Sequence, residues 1–175
     1  NLVKSMFADK EFSSSINMSG VNSINWARII AQAVYYFWAY IQLNQEKVNF
    51  IVPSGNFGNI FSARIAKFMG LPIDSLHIVT NENDILHRTI SEGKMKINTV
   101  KKTHSPSMDI QISSNFECLL FDLHDRDGNA IKAMMKDLKE KRAFSISDNG
   151  LAQARETFSA IRIDEQRTKD TISSL

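Results

Sequence analysis

The chain has 175 residues, of which 43% are apolar, 23% are charged and 9% are aromatic. Its 21 Lys and Arg residues against 19 Asp and Glu residues give a formal net charge of +2. This composition excludes a disordered tail and a polyelectrolyte that binds nucleic acid by charge, and it predicts one globular domain with a real core.

The cysteine and histidine content argues against disulfide and metal frameworks. Cys118 is the single cysteine, which excludes an internal disulfide and fits a reducing compartment such as the cytoplasm. The four histidines include no i,i+4 pair, so we assign no metal. The longest apolar stretch, 29–41, has 13 residues and contains Gln32, whereas a bilayer span needs about 20. We therefore expect no membrane partner.

The first elements along the chain are predicted to be helical. Apolar residues at helical spacing between 2 and 7 predict the last turns of a helix, and the serine-rich stretch at 10–22 predicts an exposed connection. Asn22 or Ser23 then caps a helix that extends to about Leu43. Because apolar residues almost encircle this long helix, we expect it to be buried, with Trp26 in the core.

A strand, a turn, a helix and a second strand are predicted between residues 48 and 80. The first strand is 48–52 and is ended by Pro53, the helix is 60–69 and is stopped by Gly70, and the second strand is 76–80. Such a βαβ unit places its two strands parallel. A parallel sheet is expected to be covered on both faces.

After Thr80 the pattern predicts mainly helices. One begins at about Asp84 and stops at Gly93, and another begins where Ser114 and Glu117 have capping-box spacing and contains Cys118 as a packed thiol. Further helices are predicted over 129–141 and 148–158, and Asp164 is expected to cap a last one.

These elements predict an α/β fold in which a parallel sheet is flanked by helices. The βαβ unit occupies about 48–80 and a helical flank about 84–175. Because helical patterns extend to both ends of the sequence, we expect the chain to be an internal segment of a larger protein.

The turn between the first strand and its helix, Pro53-Ser-Gly-Asn-Phe-Gly-Asn59, is the most informative stretch. It follows the carboxyl end of a strand, where ligands bind in open α/β sheets. The free amides of a helix's first turn and the positive end of its dipole suit a phosphate group. Gly55 and Gly58 let the backbone approach an anion closely. Because the turn contains no Lys or Arg, it would bind phosphate mainly through backbone amides.

An alternative is a structural βα turn whose glycines serve geometry alone. The turn does not match G-x-x-x-x-G-K-[ST], which disfavours a nucleoside-triphosphate loop. It does not match G-x-G-x-x-G either, which disfavours a dinucleotide site.

Six ordered motifs resemble the threonine synthase family. Their order and approximate spacing are those of the family, closely over about 16–120 and more loosely beyond. They are Asn22-Ser-Ile-Asn-Trp-Ala-Arg28, Pro53-Ser-Gly-Asn-Phe-Gly-Asn59, Met69-Gly-Leu-Pro72, Thr80-Asn-Glu-Asn-Asp-Ile85, Ser105-Pro-Ser-Met-Asp-Ile110 and Ser113-Ser-Asn-Phe-Glu117.

The resemblance implies an enzyme dependent on pyridoxal 5'-phosphate (PLP), with the tryptophan-synthase-β-like fold (fold type II). This family converts O-phosphohomoserine and water to L-threonine and phosphate. The resemblance implies that the turn cradles the PLP phosphate. The cofactor-binding residues carried over from the family are Gly55, Asn56, Phe57, Gly58 and Asn59.

The family's Schiff-base lysine lies in a Phe-Lys-Asp context upstream of the first motif. Lys4 and Lys10 are upstream here, but neither has that context. We therefore assign no catalytic residue in this chain and expect it to be inactive alone.

Substrate contacts are predicted at two places. Ser23, Asn25 and Arg28 stand at a helix start, where Arg28 would serve as a cation for the phosphate or amino-acid end of the substrate. The structural alternative is an N-cap with an ion pair. Asn81 follows the second strand and is predicted to line the pocket, although residues here could also cap the next helix.

Two other functions stay open. The chain could belong to another fold type II enzyme, such as a dehydratase or a sulfhydrylase, although those relatives tend to have glycine-richer cradles. It could also be a non-catalytic anion-binding module. The residues do not determine the oligomeric state.

Overall fold

The computed structural model describes residues 2–18 and 25–175. Within the described residues, three parallel strands form a sheet with the order β1-β2-β5, and two short antiparallel strands, β3 and β4, form a second sheet. The strands are β1 (Val48–Pro53), β2 (Ile73–Thr80), β3 (Lys94–Lys96), β4 (Ala143–Ser145) and β5 (Phe158–Arg162).

Helices precede, connect and follow these strands. A short 3-10 helix at Pro106–Met108 interrupts the longest irregular segment. The α-helices within the described residues are α1 (Leu2–Ala8), α2 (Lys10–Ser15), α3 (Trp26–Leu43), α4 (Gly58–Phe68), α5 (Ile85–Glu92), α6 (Phe116–Leu123), α7 (Gly128–Lys141), α8 (Asp148–Arg155) and α9 (Glu165–Ser173).

The predicted βαβ unit is confirmed. Strands β1 and β2 pair in parallel, with α4 between them in sequence, and Gly70 follows the helix with a φ of 100°. The fold class, a parallel sheet flanked by helices, is confirmed with it. The final helix is also as predicted, because the Asp164 side chain accepts a hydrogen bond from the Arg167 amide at 2.7 Å.

The segment after Thr80 is mainly helical, as predicted, but it also contains three strands that the sequence pattern does not reveal. Strands β3 and β4 have only three residues each, too few to show a period. Strand β5 begins at Phe158, which the pattern assigns to the end of a helix. Helix α8 ends at Arg155, and Phe158 pairs with Leu76 of β2, a partner 82 residues away that local periodicity does not reveal.

Helix α3 is less buried than its composition predicts. It begins at Trp26, with Asn25 as its N-cap, later than the predicted caps at Asn22 or Ser23. One face, with Ile29, Ala33 and Tyr36, is buried. Another face is exposed over its length, including Trp26, so the prediction of Trp26 in the core is wrong.

The sheet is covered on one face rather than on both. Leu76 and Ile78 of β2 are buried, as is Phe158 of β5. On the other face, Ile51 is 69% exposed and Ile161 is 47% exposed. The covered face supplies the core against which the predicted functional turn is built.

No helix within residues 2–18 and 25–175 is long and apolar enough to cross a lipid bilayer.

Candidate functional site

The turn at residues 53–59 lies at the carboxyl edge of the parallel sheet. Strand β1 ends at Pro53, and the Ser54 amide extends the ladder by donating to the Val79 carbonyl at 2.9 Å. Helix α4 begins only a few residues later, at Gly58. The strand and the helix therefore fix both ends of the turn.

Phe57 holds the turn in place from inside the core. Its backbone has a φ of 64°, a left-handed conformation that costs a non-glycine residue about 1–2 kcal/mol. Its ring is fully buried, 5.0 Å from the Phe116 ring and 5.5 Å from the Phe158 ring. Burying a phenylalanine contributes about 1.5–3 kcal/mol, which offsets the backbone cost. The core thus sets the direction in which the backbone turns.

Several amides of the turn have no acceptor within the described part of the chain. The Phe57 amide is used, because it donates to Ser54 Oγ at 3.0 Å. By contrast, no acceptor in residues 2–18 or 25–175 meets the amides of Gly55, Gly58 and Asn59. The last two belong to the first turn of α4, whose amides lack intrahelical partners and carry the positive end of the helix dipole. These groups are suited to an anion.

Both glycines of the turn are tightly surrounded. A Cβ at Gly55 would lie 3.1 Å from Ile110 Cδ1, and a Cβ at Gly58 would lie 3.1 Å from Asn115 Nδ2. Either contact is closer than ordinary van der Waals packing, so a neighbour would have to move. Close packing therefore explains glycine at both positions.

Asn56 joins the turn to the start of α6. Its Oδ1 accepts from Ser114 Oγ at 2.9 Å, and its carbonyl accepts from the Asn115 amide at 3.2 Å and from Asn115 Nδ2 at 3.1 Å. The predicted capping box at Ser114 and Glu117 is therefore wrong. The N-cap is Asn115, without a side-chain cap, and Ser114 binds the turn instead.

Asn59 is held by a tyrosine of α3. The Tyr36 hydroxyl donates to Asn59 Oδ1 at 2.7 Å and to the Asn59 carbonyl at 3.1 Å. Burial raises the pKa of Tyr36 well above its usual range, so the hydroxyl keeps its proton. Because its carbonyl and side-chain oxygens are engaged, Asn59 offers its amide to the site.

A polar cavity of about 310 Å³ lies against the turn. It brings the turn together with two side chains of α3, Arg28 and Gln32, and with Ser107 and Met108 of the 3-10 helix. The turn residues that line it are Pro53, Ser54, Asn56, Gly58 and Asn59.

The residues predicted at the start of α3 separate into different roles. Arg28 lines the cavity and forms no ion pair within the described residues, so the structural ion pair considered from the sequence is absent from that part of the chain. Asn25 caps α3, with its side chain accepting from the Ala27 amide at 2.9 Å. Ser23 lies outside the described residues.

Asn81 is placed away from the cavity lining. Its Nδ2 donates to Thr103 Oγ1, Ser105 Oγ and Asp109 Oδ1 at 2.9–3.0 Å, and its Oδ1 accepts from the Asn83 amide at 2.8 Å. The side chain is buried, and all its polar groups are engaged within the chain. The structure therefore does not bring Asn81 together with Arg28 and the turn.

A larger cavity of about 790 Å³ lies between α3, α4, α6 and α7. Its walls are largely apolar and contain no residue of 53–59. Trp26 and Cys118 line it. Cys118 is exposed, so the prediction of a packed thiol is wrong. Although the residue is exposed, the protein atoms around it partly desolvate the thiol, and this desolvation, with the nearby carboxylates of Glu117 and Asp122, raises the pKa of the thiol and disfavours a reactive thiolate.

Two groups of site residues escaped the sequence prediction. Gln32 was detectable, because it is the one polar side chain in the apolar stretch 29–41 and stands one helical turn after Arg28. Ser107 and Met108 lie within the motif 105–110, although no residue of that motif is assigned to the site from the sequence. Tyr36 gave no signal, because its role depends on a contact distant in sequence.

Within residues 2–18 and 25–175, no group of three or more His, Cys, Asp or Glu side chains could hold a metal ion.

Comparisons with known proteins agree on one family. No protein-family model matches the chain. The threonine synthase of Pseudomonas aeruginosa is 45% identical over 99% of this chain, and that of Saccharomyces cerevisiae is 43% identical over 100% of it. The chain spans 38% and 37% of these two proteins.

Solved structures give the same result. A PLP-bound threonine synthase from Brucella melitensis superposes with a TM-score of 0.94 and 53% identity, covering 99% of this chain and 38% of that one. The yeast threonine synthase superposes with a TM-score of 0.90 and 42% identity, covering 98% of this chain and 36% of that one. The chain belongs to the threonine synthase family.

Proposed function

We propose that this chain supplies the segment that binds the cofactor phosphate in a PLP-dependent threonine synthase, a lyase that converts O-phosphohomoserine and water to L-threonine and phosphate. The single observation that carries the proposal is the set of amides at Gly55, Gly58 and Asn59, which have no acceptor in the described residues. Gly58 and Asn59 also line the polar cavity. Similarity to threonine synthases over nearly the whole chain, one of them PLP-bound, supports it.

The turn fits the phosphate of PLP in three respects. Backbone amides at a helix N-terminus bind phosphate without a cationic side chain, each favourable contact contributing about 0.3–1 kcal/mol. The cavity of about 310 Å³ gives room beside the turn. The absence of Cβ atoms at Gly55 and Gly58 lets neighbouring segments pack closely behind the amides. We expect Phe57 to orient the turn from the core, since its amide is already bonded to Ser54.

PLP, when bound, supplies an electron sink that stabilises carbanions next to the substrate amino group. The chain's own contribution is to bind and orient. The amides of the turn anchor one end of the cofactor and so hold its ring in place. No residue of this chain is assigned a proton transfer.

Arg28 and Gln32 line the same cavity from α3, on a different element from the turn. A guanidinium can pair with a carboxylate or a phosphate through two hydrogen bonds, so Arg28 is suited to an anionic group of O-phosphohomoserine. Asn25 shapes this wall by capping α3. We expect Asn81 to hold the neighbouring backbone in place rather than to touch substrate, because its side chain is fully engaged in hydrogen bonds to Asn83 and Asp109.

A small-molecule substrate is the partner that this proposal requires. A cytoplasmic location belongs to the proposal too and is supported by the single cysteine, which fits a reducing compartment.

The test uses the longer protein that carries this chain, because the chain spans only 38% of the Pseudomonas aeruginosa threonine synthase and 37% of the Saccharomyces cerevisiae one. PLP binding is measured by absorbance titration, and product formation is measured with O-phosphohomoserine, serine and threonine. We expect PLP to bind, O-phosphohomoserine to be converted to threonine and phosphate, and serine and threonine to be left unchanged. Deamination of serine or threonine instead would indicate a dehydratase, and binding of inorganic phosphate without PLP uptake would indicate an anion-binding module.

A further inference from the structure

We infer that Asp109 is a positioning residue for the turn at residues 53–59, acting through the segment 107–110. This inference rests on the function proposed above. The observations that carry it are the hydrogen bonds around the Asp109 carboxylate and the packing of that segment against Gly55.

The Asp109 carboxylate is surrounded by donors rather than by cations. Its Oδ1 accepts from Asn81 Nδ2 at 2.9 Å, from Asn83 Nδ2 at 3.0 Å and from Thr103 Oγ1, and its Oδ2 accepts from the Thr103 amide at 3.0 Å. The hydrogen bonds from Thr103 are the main reason that the pKa of Asp109 lies below its usual value. The carboxylate is therefore ionised at neutral pH and can only accept.

The donors come from two separate parts of the chain. Asn81 and Asn83 follow β2, whereas Thr103 lies in the irregular segment between β3 and α6. Asn83 also exchanges hydrogen bonds with the backbone of Lys101, in both directions at 2.8 Å. An irregular segment has no ladder of its own, so these side-chain bonds fix it to the sheet.

The segment 107–110 packs against the turn at residues 53–59. A Cβ added to Gly55 would lie 3.1 Å from Ile110 Cδ1 and 3.4 Å from Met108 Cα, on either side of Asp109. Ser107 and Met108 line the polar cavity themselves. Asp109 thus holds a wall that touches both the turn and the cavity.

The consequence is preorganisation. If the segment moved away, the backbone at Gly55 would gain freedom, and its amide would have to be reoriented when an anion binds. Asp109 itself is not among the residues that line the cavity, so its effect on binding is indirect.

Asp109→Asn tests this without a change of size. The new amide group must replace one carboxylate oxygen, and either oxygen faces donors, so a donor would oppose a donor. We expect the Kd for PLP in the full-length protein to rise about tenfold, measured by fluorescence titration. The matched control is Asp74→Asn, the same change at an exposed residue near the amino end of β2, which should alter the Kd less than about twofold.

Thr103→Val is the second variant, and it keeps the carboxylate while removing one hydroxyl donor. We expect a rise in Kd of about threefold. It also covers the case in which Asp109→Asn does not fold.

A double-mutant cycle separates positioning from general stability. Gly55→Ala adds the Cβ that presses on Met108 and Ile110, so its effect on PLP affinity should not add to that of Asp109→Asn or Thr103→Val. Additive effects would contradict the inference, because they would show that Asp109 acts elsewhere.

The possible failures are distinguishable. If the unaltered protein does not bind PLP, the proposed function is wrong. If it binds PLP and both variants bind with the same affinity as Asp74→Asn, the proposed function stands and the role of Asp109 is wrong.

Discussion

The two turns that follow β1 and β2 stand side by side at the same edge of the sheet and are built in opposite ways. After β1, residues 53–59 leave the amides of Gly55, Gly58 and Asn59 without acceptors in the described residues. After β2, Asn81 and Asn83 fill the space with their own side chains and bond to the segment that carries Asp109. A position at the carboxyl edge of a parallel sheet is therefore not sufficient for a ligand site.

Side-chain chemistry makes the difference. The first turn has two glycines and uses one side chain, Ser54, to bind an amide of its own. The second has no glycine, and its asparagines act as both donors and acceptors. We propose that the first turn binds a group from outside the chain, whereas the second turn binds its own chain.

The largest effect is expected from Gly58→Val in the full-length protein. A Cβ here would lie 3.1 Å from Asn115 Nδ2, and two further methyl groups would displace the first turn of α4. We expect the Kd for PLP to rise about 10- to 100-fold, measured by absorbance titration. Gly128→Val is the matched control, because Gly128 also begins a helix and a Cβ there meets nothing within 4 Å. Equal effects of the two changes would argue against the turn as a cradle.

Arg28→Ala should act on substrate rather than on cofactor. Loss of a charge-assisted contact predicts a fall of about tenfold or more in kcat/KM for O-phosphohomoserine, with the Kd for PLP changed less than about twofold. Arg28→Lys should restore part of the loss. Arg167→Ala, an exposed site on α9, serves as the control. A loss of PLP affinity with kcat/KM unchanged at saturating PLP would instead indicate that Arg28 binds the cofactor and not the substrate.

Asn81→Ala tests the second turn, and its main effect should be on stability. The buried side chain makes four hydrogen bonds, so we expect the free energy of unfolding to fall by about 1–3 kcal/mol. Urea denaturation measures it, with Asn98→Ala at an exposed residue as the control. A rise in KM for O-phosphohomoserine at unchanged stability would instead support the substrate contact that the sequence predicted for Asn81.

The smallest expected effect is on how stability depends on pH in the acidic range. Because the folded pKa of Asp109 lies below its usual value of about 3.9, its carboxylate stabilises the fold above that pH, and this stabilisation is lost as pH falls through the folded pKa. The stability difference between the unaltered protein and Asp109→Asn should therefore narrow below about pH 4. A difference that stays constant across urea titrations from about pH 6 to about pH 3 would refute this.

The sequence predicted the βαβ unit well because every signal there is local. Pro53 ends a strand, Gly70 has the positive φ that stops a helix, and both strands are short apolar runs. The region after Thr80 was harder to predict. Strand β5 exists because Phe158 pairs with Leu76, and no local pattern carries that information.

The composition of the turn and its place after a strand came from the sequence alone, since glycine and asparagine constrain the backbone directly. The tertiary structure decided which of its groups stay available. Packing of Phe57 in the core, the hydroxyl of Tyr36 on Asn59 and the donors around Asp109 are all long-range contacts. A chain's local pattern fixes what its backbone can do, but only folding brings distant partners close enough to occupy some amides and leave others for a ligand.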